Sequence, residues 1–451
     1  MDNRIGRVSL AGYGMGDFGI NLFWQGLAVY LLFYYTEVLK IDAATAGLIF
    51  SVCILWDAVT DPMMGYIATR TRTRWGKFRP YVLFGAPFMG LSFVMMFAAP
   101  IFFPGALFAA CVISHLIFRT LFTVVSTPYS SLSSVMTRDS EKRSLLSGAR
   151  MFGAVSGTFI VTLFMKDVAE QIGGDNLQYG WAMIAAIFAV ITTLTMVIVF
   201  LTTKERVPES ELAQKVSFQD TMRFIKSNTA LWILLVVVIL HLVSLAMAGK
   251  SILYFIKYNL DADAEIGRLL GLQSLAAALS VPFWVWVSGK SSKRITWMIA
   301  TVMLLAVQLW LYTFTPATAD AMLPYLILVG ISLGAAAVMF WSTVPDTVEY
   351  GQWRSGVRDE GIAFSLTTFS QKCGAALGVS LLGFYLGGLG YQADVEQTPA
   401  ALQGIETATF LFPALINIGV IAALWFYPID RHQHEAMLRD IEANAGALTQ
   451  S

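Results

Sequence analysis

The sequence predicts an all-α integral membrane protein with twelve transmembrane helices in two six-helix bundles. Composition is the first reason: 56% of the 451 residues are hydrophobic and 13% are charged, against about 25% charged in soluble domains. Mean hydropathy is +0.64. The second reason is length, because apolar stretches of about 20 residues, enough to cross hydrocarbon, recur twelve times. The third is the segregation of Lys and Arg into alternate loops, the signature of a fixed membrane orientation.

The apolar stretches run near 12–36, 43–69, 81–100, 105–136, 146–166 and 180–202, then near 229–258, 265–288, 295–314, 322–349, 360–390 and 405–428. Residues 1–202 thus form an N-terminal bundle and 229–428 a C-terminal one. Between them, 203–228 is a polar cytoplasmic linker with room for a short surface helix, and 429–451 is a cytoplasmic tail. With the N-terminus inside, 23 of the 30 Lys and Arg fall on the cytoplasmic side, so both termini are expected there. The outer loops carry acids such as Asp42, Asp167, Asp175, Asp261 and Asp394. Met1–Arg7 is short and polar, and the run behind it exceeds a signal-peptide core of roughly 7–15 residues, so the first helix is expected to be retained.

Several classes are disfavoured. Net charge is zero, which offers nucleic acid no electrostatic footprint. Cys53, Cys111 and Cys373 fall in apolar segments without metal-ligand spacing and read as small buried hydrophobes. There is no G-x-x-x-x-G-K-[ST] loop for an ATP-driven pump and no H-E-x-x-H for a zinc enzyme. No cofactor and no enzymatic activity are expected. His115 and His241 lie in apolar stretches and read as packed, hydrogen-bonded side chains rather than proton relays.

Against that background three carboxylates stand out. Asp17 lies in the first apolar stretch, and Asp57 and Asp61 in the second. A charge at membrane depth costs at least ~3 kcal/mol, and such residues usually serve an ion, a proton or a polar substrate. Asp57 and Asp61 are four apart and share a helical face. The halves also repeat weakly: the basic loop 70–79 matches 288–294, and the polar loop 137–143 matches 349–358. Two related halves point to a transporter with its site near mid-membrane.

The motifs bear this out. Gly12-Tyr13-Gly14-Met15-Gly16-Asp17, Phe33-Tyr34-Tyr35-Thr36-Glu37, Trp56-Asp57-Ala58-Val59-Thr60-Asp61-Pro62 and Thr71-Arg72-Thr73-Arg74-Trp75-Gly76-Lys77-Phe78-Arg79-Pro80 occur in order. Pro345-Asp346-Thr347-Val348-Glu349-Tyr350-Gly351-Gln352-Trp353 and Gln371-Lys372-Cys373-Gly374 follow. Over nearly its whole length the chain resembles the glycoside–pentoside–hexuronide:cation symporters, the melibiose-permease and glucuronide-carrier branch of the major facilitator superfamily. The resemblance implies the major facilitator fold and a coupling-cation site at Asp57, Thr60, Asp61 and Thr123. It implies a sugar site at Asp17, Arg150, Trp341 and Lys372, in which Trp341 stacks on a pyranose.

The residues themselves leave the ion open between H⁺ and Na⁺. Two carboxylates and two hydroxyls make a hard oxygen cluster suited to Na⁺ at Asp57 and Asp61. Close carboxylates also favour protonation of one, and Thr60 stands where the melibiose-permease pattern has Asn, so the reading leans to H⁺. Ser126 and Ser130 replace that pattern's sugar-gripping Asp and a nearby aromatic, and Ile54 replaces its Arg. The chain adds Arg119, on the same helical face as Thr123 and Ser126, and Lys250. A buried cation needs a partner: either an intramembrane Asp or an anionic sugar such as a hexuronide, glucuronide or sulfonated sugar. Asp139, Glu141 and Arg143 in one half, with Asp346, Glu349, Arg354 and Arg358 in the other, are candidates for cytoplasmic gating pairs.

The expected function is symport of a sugar or glycoside with H⁺ or Na⁺, by a monomer in the inner (plasma) membrane surrounded by lipid. The alternatives are a lysolipid carrier of the same superfamily and cation-coupled uptake of a neutral oligosaccharide or pentoside.

Overall fold

The computed structural model describes residues 6–137, 140–205 and 217–448, excepting the side chains of 58, 69, 134, 140–144, 218, 432 and 442–448. Among the described residues there are helices and no strand. The first membrane helix, α1 (Arg7–Gln25), continues through π-helical turns at Gly26–Leu31 and Tyr34–Val38. Then come α2 (Ala43–Arg70), α3 (Arg79–Phe102), α4 (Leu107–Met136), α5 (Ser140–Gly173) and α6 (Leu177–Thr202). A short α7 (Phe218–Ser227) precedes α8 (Thr229–Tyr254), α9 (Ile266–Lys290), α10 (Lys293–Thr313), α11 (Ala319–Ser355) and α12 (Glu360–Gly388). The last crossing is α13 (Pro399–Glu406), a π-helical turn at Thr407–Leu411 and α14 (Phe412–Trp425), followed by α15 (Arg431–Leu448).

Ten of these segments are long and apolar enough to cross a membrane. The prolonged α1 and α12 complete the twelve expected spans. Both are diluted by small and polar residues: Gly12, Gly14, Gly16 and Asp17 in α1, and Ser365, Thr367, Thr368, Gln371 and Lys372 in α12. The polar loop expected at 137–143 is shorter than the sequence suggested, because α5 already starts at Ser140. The linker contains α7, whose N-cap Ser217 accepts from the Asp220 amide at 3.2 Å. The tail carries α15.

The chain divides into two compact units. The first comprises Met1–Ala213, Asp263–Ser274 and Gly383–Gln397; the second comprises Gln214–Ala262, Leu275–Leu382 and Thr398–Ser451. The first unit therefore takes in the start of α9 and the end of α12 as well as α1 to α6.

In the first unit, small residues let helices meet at backbone distance, as membrane packing favours. A Cβ on Gly153 of α5 would stand 2.1 Å from the Gly14 carbonyl oxygen of α1, and one on Gly157 would stand 2.8 Å from the Phe18 carbonyl oxygen. Phe23 stacks on Phe93 at 4.2 Å and Phe97 on Trp181 at 6.0 Å, forming an aromatic interior. Val190, Leu194 and Leu201 on α6 are exposed, as a lipid-facing surface should be. Asp42 caps α2 by accepting from the amides of Ala44 and Thr45 at 3.0 and 3.2 Å. Hydrogen bonds from Thr45, with help from Ala44, hold its carboxyl below the usual range. The start of α3 is capped by Glu205, whose carboxylate accepts from the amides of Lys77, Phe78 and Arg79 at 2.9, 2.8 and 3.1 Å. A negative group at a helix N-terminus satisfies orphan donors and the helix dipole together.

In the second unit, α8 packs on α14, and α10 packs on α11 and α14. Leu234, Val237, Val238, Trp297, Met339, Phe340 and Val420 form the core. Gly374 and Gly378 bring α12 against α8: a Cβ at each would stand 2.6 Å from the Ile239 and 2.7 Å from the Val243 carbonyl oxygen.

Candidate functional site

The site is a ladder between α2 and α4. On α2, Asp57 and Asp61 lie one turn apart. On α4, His115, Arg119 and Thr123 lie at successive turns. Residues spaced by four stack along one face of a helix, so two facing helices can pair them rung by rung. Arg119 Nη1 donates to Asp57 Oδ2 at 2.9 Å, and Thr123 Oγ1 donates to Asp61 Oδ1 at 2.8 Å. The Thr60 hydroxyl lies 3.5 Å from that of Thr123. Trp56 Nε1 donates to Thr120 Oγ1 at 2.9 Å, which ties the same two helices.

A third rung extends from Arg119, whose Nε donates to His115 Nε2 at 3.1 Å. Guanidinium is only a donor, so His115 Nε2 accepts and the ring is neutral with its proton on Nδ1. That nitrogen faces the Tyr35 hydroxyl at 3.4 Å. The Trp24 and Phe50 rings lie 5.7 and 6.0 Å from the guanidinium carbon. The side chains of Arg119 and Asp57 are 3% and 5% exposed. At that depth a charged pair holds only if its geometry and hydrogen bonds offset desolvation, and removing one partner costs about 3–5 kcal/mol.

A second cluster lies on α1, α4 and α5. Arg150 clasps Asp17 through Nε, and its Nη2 reaches Asp17 Oδ1 at 3.4 Å and Ser130 Oγ at 3.5 Å. The single proton of the Tyr129 hydroxyl is shared between the Tyr13 carbonyl oxygen at 2.5 Å and Asp17 Oδ2 at 2.9 Å. The Tyr13 and Tyr129 ring centroids lie 5.9 and 5.4 Å from the Arg150 guanidinium carbon. The glycine contacts between α1 and α5 are what bring Arg150, three residues before Gly153, to Asp17. Along α1, Asp17 and Trp24 lie two turns apart on one face, about 10 Å along the axis, so this helix serves both clusters.

The structure thus gathers Asp57, Thr60, Asp61, Thr123 and Arg119 in one cluster, and Asp17 and Arg150 in another. Ser126 is half-buried on α4. In the second unit, Lys250 is buried on α8 and Lys372 is half-buried on α12. Trp341 on α11 is 45% exposed, with its ring set edge-on to Phe340 at 4.7 Å. Of the gating candidates, Asp139 lies outside the described residues, as do the side chains of Glu141 and Arg143. Asp346 accepts from Lys293 at 2.7 Å, and Glu349 pairs with His434 at 2.6 Å. Arg358 donates to Glu360 at 2.6 Å and to Gln352 at 3.0 Å. Arg354 lies over Trp353 at 5.4 Å. Asp346, Glu349 and His434 could together offer three metal ligands, but the Lys293 ammonium already occupies Asp346.

Sequence reasoning missed Tyr129 and Tyr35 as polar partners, and it missed the His115–Arg119 contact although their spacing of four was visible. His115 is packed and hydrogen-bonded as expected. His241 packs edge-on to Trp297 at 6.0 Å, but among the described residues its Nδ1 has no hydrogen-bond partner, which corrects half of that expectation.

Apolar helices, with no strand among the described residues, that keep ion-paired carboxylates inside their apolar spans fit a secondary transporter. The pattern of the family described as MFS/sugar transport protein matches residues 12–431, and the chain belongs to that family. It is 32% identical to the isoprimeverose transporter of Lactiplantibacillus pentosus, over 95% of this chain and 90% of that one. It is 31% identical to the inner membrane symporter YicJ of Escherichia coli (strain K12), over 95% and 94%. It is 28% identical to the glucuronide carrier protein homolog of the same organism, over 98% and 97%. Among solved structures, a bacterial homolog of the human lysosomal transporter Spinster aligns with TM-score 0.69 at 14% identity, covering 93% of this chain and 96% of that one. The nucleoside transporter NupG aligns with TM-score 0.63 at 15% identity, covering 94% and 100%. At these identities the structural likeness speaks for the fold alone.

Proposed function

We propose that this chain is a symporter that carries a sugar or glycoside across the cytoplasmic membrane with a monovalent cation, by alternating access. The observation that carries the proposal is the rung pairing, between apolar helices, of buried Asp57 with Arg119 and of half-buried Asp61 with Thr123. Charges are kept at that depth when an ion or polar substrate uses them. The coupling site is Asp57, Thr60, Asp61 and Thr123, and the ion is H⁺ or Na⁺.

Asp17, Arg150 and Tyr129 offer acceptors and donors with aromatic edges, a combination that suits sugar hydroxyls. Trp341 and Lys372 are proposed as further substrate contacts on the family pattern, and Ser126 and Lys250 as contacts where this chain departs from it. The relatives named for isoprimeverose and for glucuronide support a sugar or glycoside, neutral or anionic. The two halves of the sequence are proposed as the moving parts, both termini as cytoplasmic, and the transporter as a monomer. Exchange of partners by Asp346, Glu349, Arg354 and Arg358, with Asp139, Glu141 and Arg143, is proposed to gate the cytoplasmic side.

The test is uptake into proteoliposomes of a panel of neutral and acidic glycosides, under an imposed ion gradient and without one. Gradient-driven accumulation of at least one glycoside is expected. Failure of every glycoside, with the protein folded, would remove the proposal.

A further inference from the structure

We propose that Lys166 is the lock of a gate at the non-cytoplasmic mouth of this transporter. Its bonds to Asp263 hold α5 against the start of α9, and sugar enters from outside only when that contact opens. The inference rests on the alternating-access reading above and adds the residues that close the side opposite the cytoplasmic gating candidates.

Asp263–Ser274 and Gly383–Gln397 come from the second half of the sequence, yet they belong to the first compact unit. Glycines let both segments meet their neighbours at backbone distance. A Cβ on Gly267 of α9 would stand 2.7 Å from the Leu163 carbonyl oxygen of α5, and one on Gly271 would stand 3.3 Å from Leu163 Cβ. A Cβ on Gly383 of α12 would stand 2.4 Å from the Ala43 carbonyl oxygen of α2, and one on Gly387 would stand 3.3 Å from Ala44 Cβ. Backbones this close leave no room for a sugar between them. With both termini cytoplasmic, as proposed, these ends of α2, α5, α9 and α12 face outward.

Polar bonds gather at the same two places. Lys166 Nζ pairs with Glu170 Oε1 at 2.7 Å. It also donates to Asp263 Oδ2 at 3.0 Å and to the Asp263 carbonyl oxygen at 3.2 Å. The Lys166 side chain is 0% exposed, so its ammonium depends on those oxygens. Glu170 lies on the same helix and moves with Lys166. Asp263, in the turn before α9, is brought by the other segment. Parting α5 from α9 therefore takes away both Asp263 oxygens and lets water reach the ammonium, which makes the contact a two-state element. At the second place Lys40 pairs with Asp394, and the Tyr391 hydroxyl donates to Glu37. Lys40 and Asp394 are exposed, where an ion pair contributes little. The lock is thus Lys166 and not Lys40.

The test uses the full-length protein in right-side-out vesicles, with Cys53, Cys111 and Cys373 replaced by alanine. Leu163→Cys with Gly271→Cys, and separately Ala44→Cys with Gly387→Cys, place two Cβ atoms within disulfide reach. Oxidation should cross-link each pair and cut uptake at least about tenfold, read with the glycoside carried best in the panel above. Reduction should restore uptake, and the single cysteines should ignore the oxidant. A cross-link verified by mass that leaves uptake unchanged overturns the inference, and so does failure of both pairs to cross-link. The lock is also read without transport. A membrane-impermeant maleimide should label Gly271→Cys at least about tenfold faster once Asp263→Asn or Lys166→Met is added, because weakening one state populates the other. Lys40→Met should change that rate less than about twofold. Labelling that ignores the lock variants overturns the inference; if Lys166→Met does not fold, Asp263→Asn, which leaves Glu170 to the ammonium, decides. Unimpeded uptake by the cross-linked protein would sink the gate and leave symport standing. No uptake of any glycoside by the reduced protein would sink the symport reading, and the labelling rates would still decide the gate.

Discussion

Among the described residues, two carboxylate–arginine pairs join α1, α2, α4 and α5 of the first unit, and they are built differently. Asp57 and Arg119 are sealed, with side-chain exposures of 5% and 3%. Asp17 and Arg150 are partly open, at 9% and 27%, and are ringed by Tyr13 and Tyr129. The sealed pair is buttressed by histidine and aromatic faces and presents little surface to a molecule the size of a sugar. The open pair offers a guanidinium edge, a phenol and a serine hydroxyl at Ser130. In the proposed reading, the difference assigns two tasks to one helical scaffold: a closed cluster for a small ion, and an accessible one for hydroxyl groups.

If that division is right, the pairs should respond differently to substitution. The largest effect belongs to the sealed one. Asp57→Asn takes the carboxylate from buried Arg119, and Arg119→Gln takes the guanidinium from Asp57; each should destabilise the protein by about 3–5 kcal/mol. The double variant should recover a large part of that loss, because it removes both members of the pair together. Chemical or thermal unfolding of the four species measures the coupling. Additive losses would mean that the pair is not the sealed unit described here.

A smaller, local effect is expected at the open pair. Arg150→Lys keeps the charge but loses the planar fork, so sugar affinity should fall about tenfold, or about 1.4 kcal/mol. The ion response, read by thermal shift, should stay unchanged. Loss of the ion response together with affinity would show that the clusters do not divide the work.

Much of this organisation was legible in the sequence. Asp17, Asp57 and Asp61 announced themselves because an acid inside an apolar run is anomalous, and the spacing of four put Asp57 and Asp61 on one face. Ten crossings followed from length and hydropathy, whereas α1 and α12, diluted by small and polar residues, fall short on that criterion. The partner of Arg119 did not follow. Periodicity relates residues along one helix, whereas the choice between Asp57 and a bound anion depends on which helix lies opposite. The close approach of α1 and α5 had a signal in Gly12, Gly14, Gly16, Gly153 and Gly157, but pairing those stripes needs tertiary packing. Tyr129 escaped notice because a tyrosine in an apolar helix is ordinarily packing, and its hydroxyl gains meaning only beside Asp17. Glu205 closing the start of α3 escaped because more than 120 residues separate it from the amides it accepts from.

Accumulation of sugar by proteoliposomes carrying Asp57→Asn, compared with exchange of labelled for unlabelled sugar across the same membrane, tests the role of the sealed pair most directly. Gradient-driven accumulation should vanish while exchange persists, because the proposed substrate cluster at Asp17 and Arg150 remains intact. Accumulation equal to that of wild type would contradict the assignment of Asp57 to ion coupling.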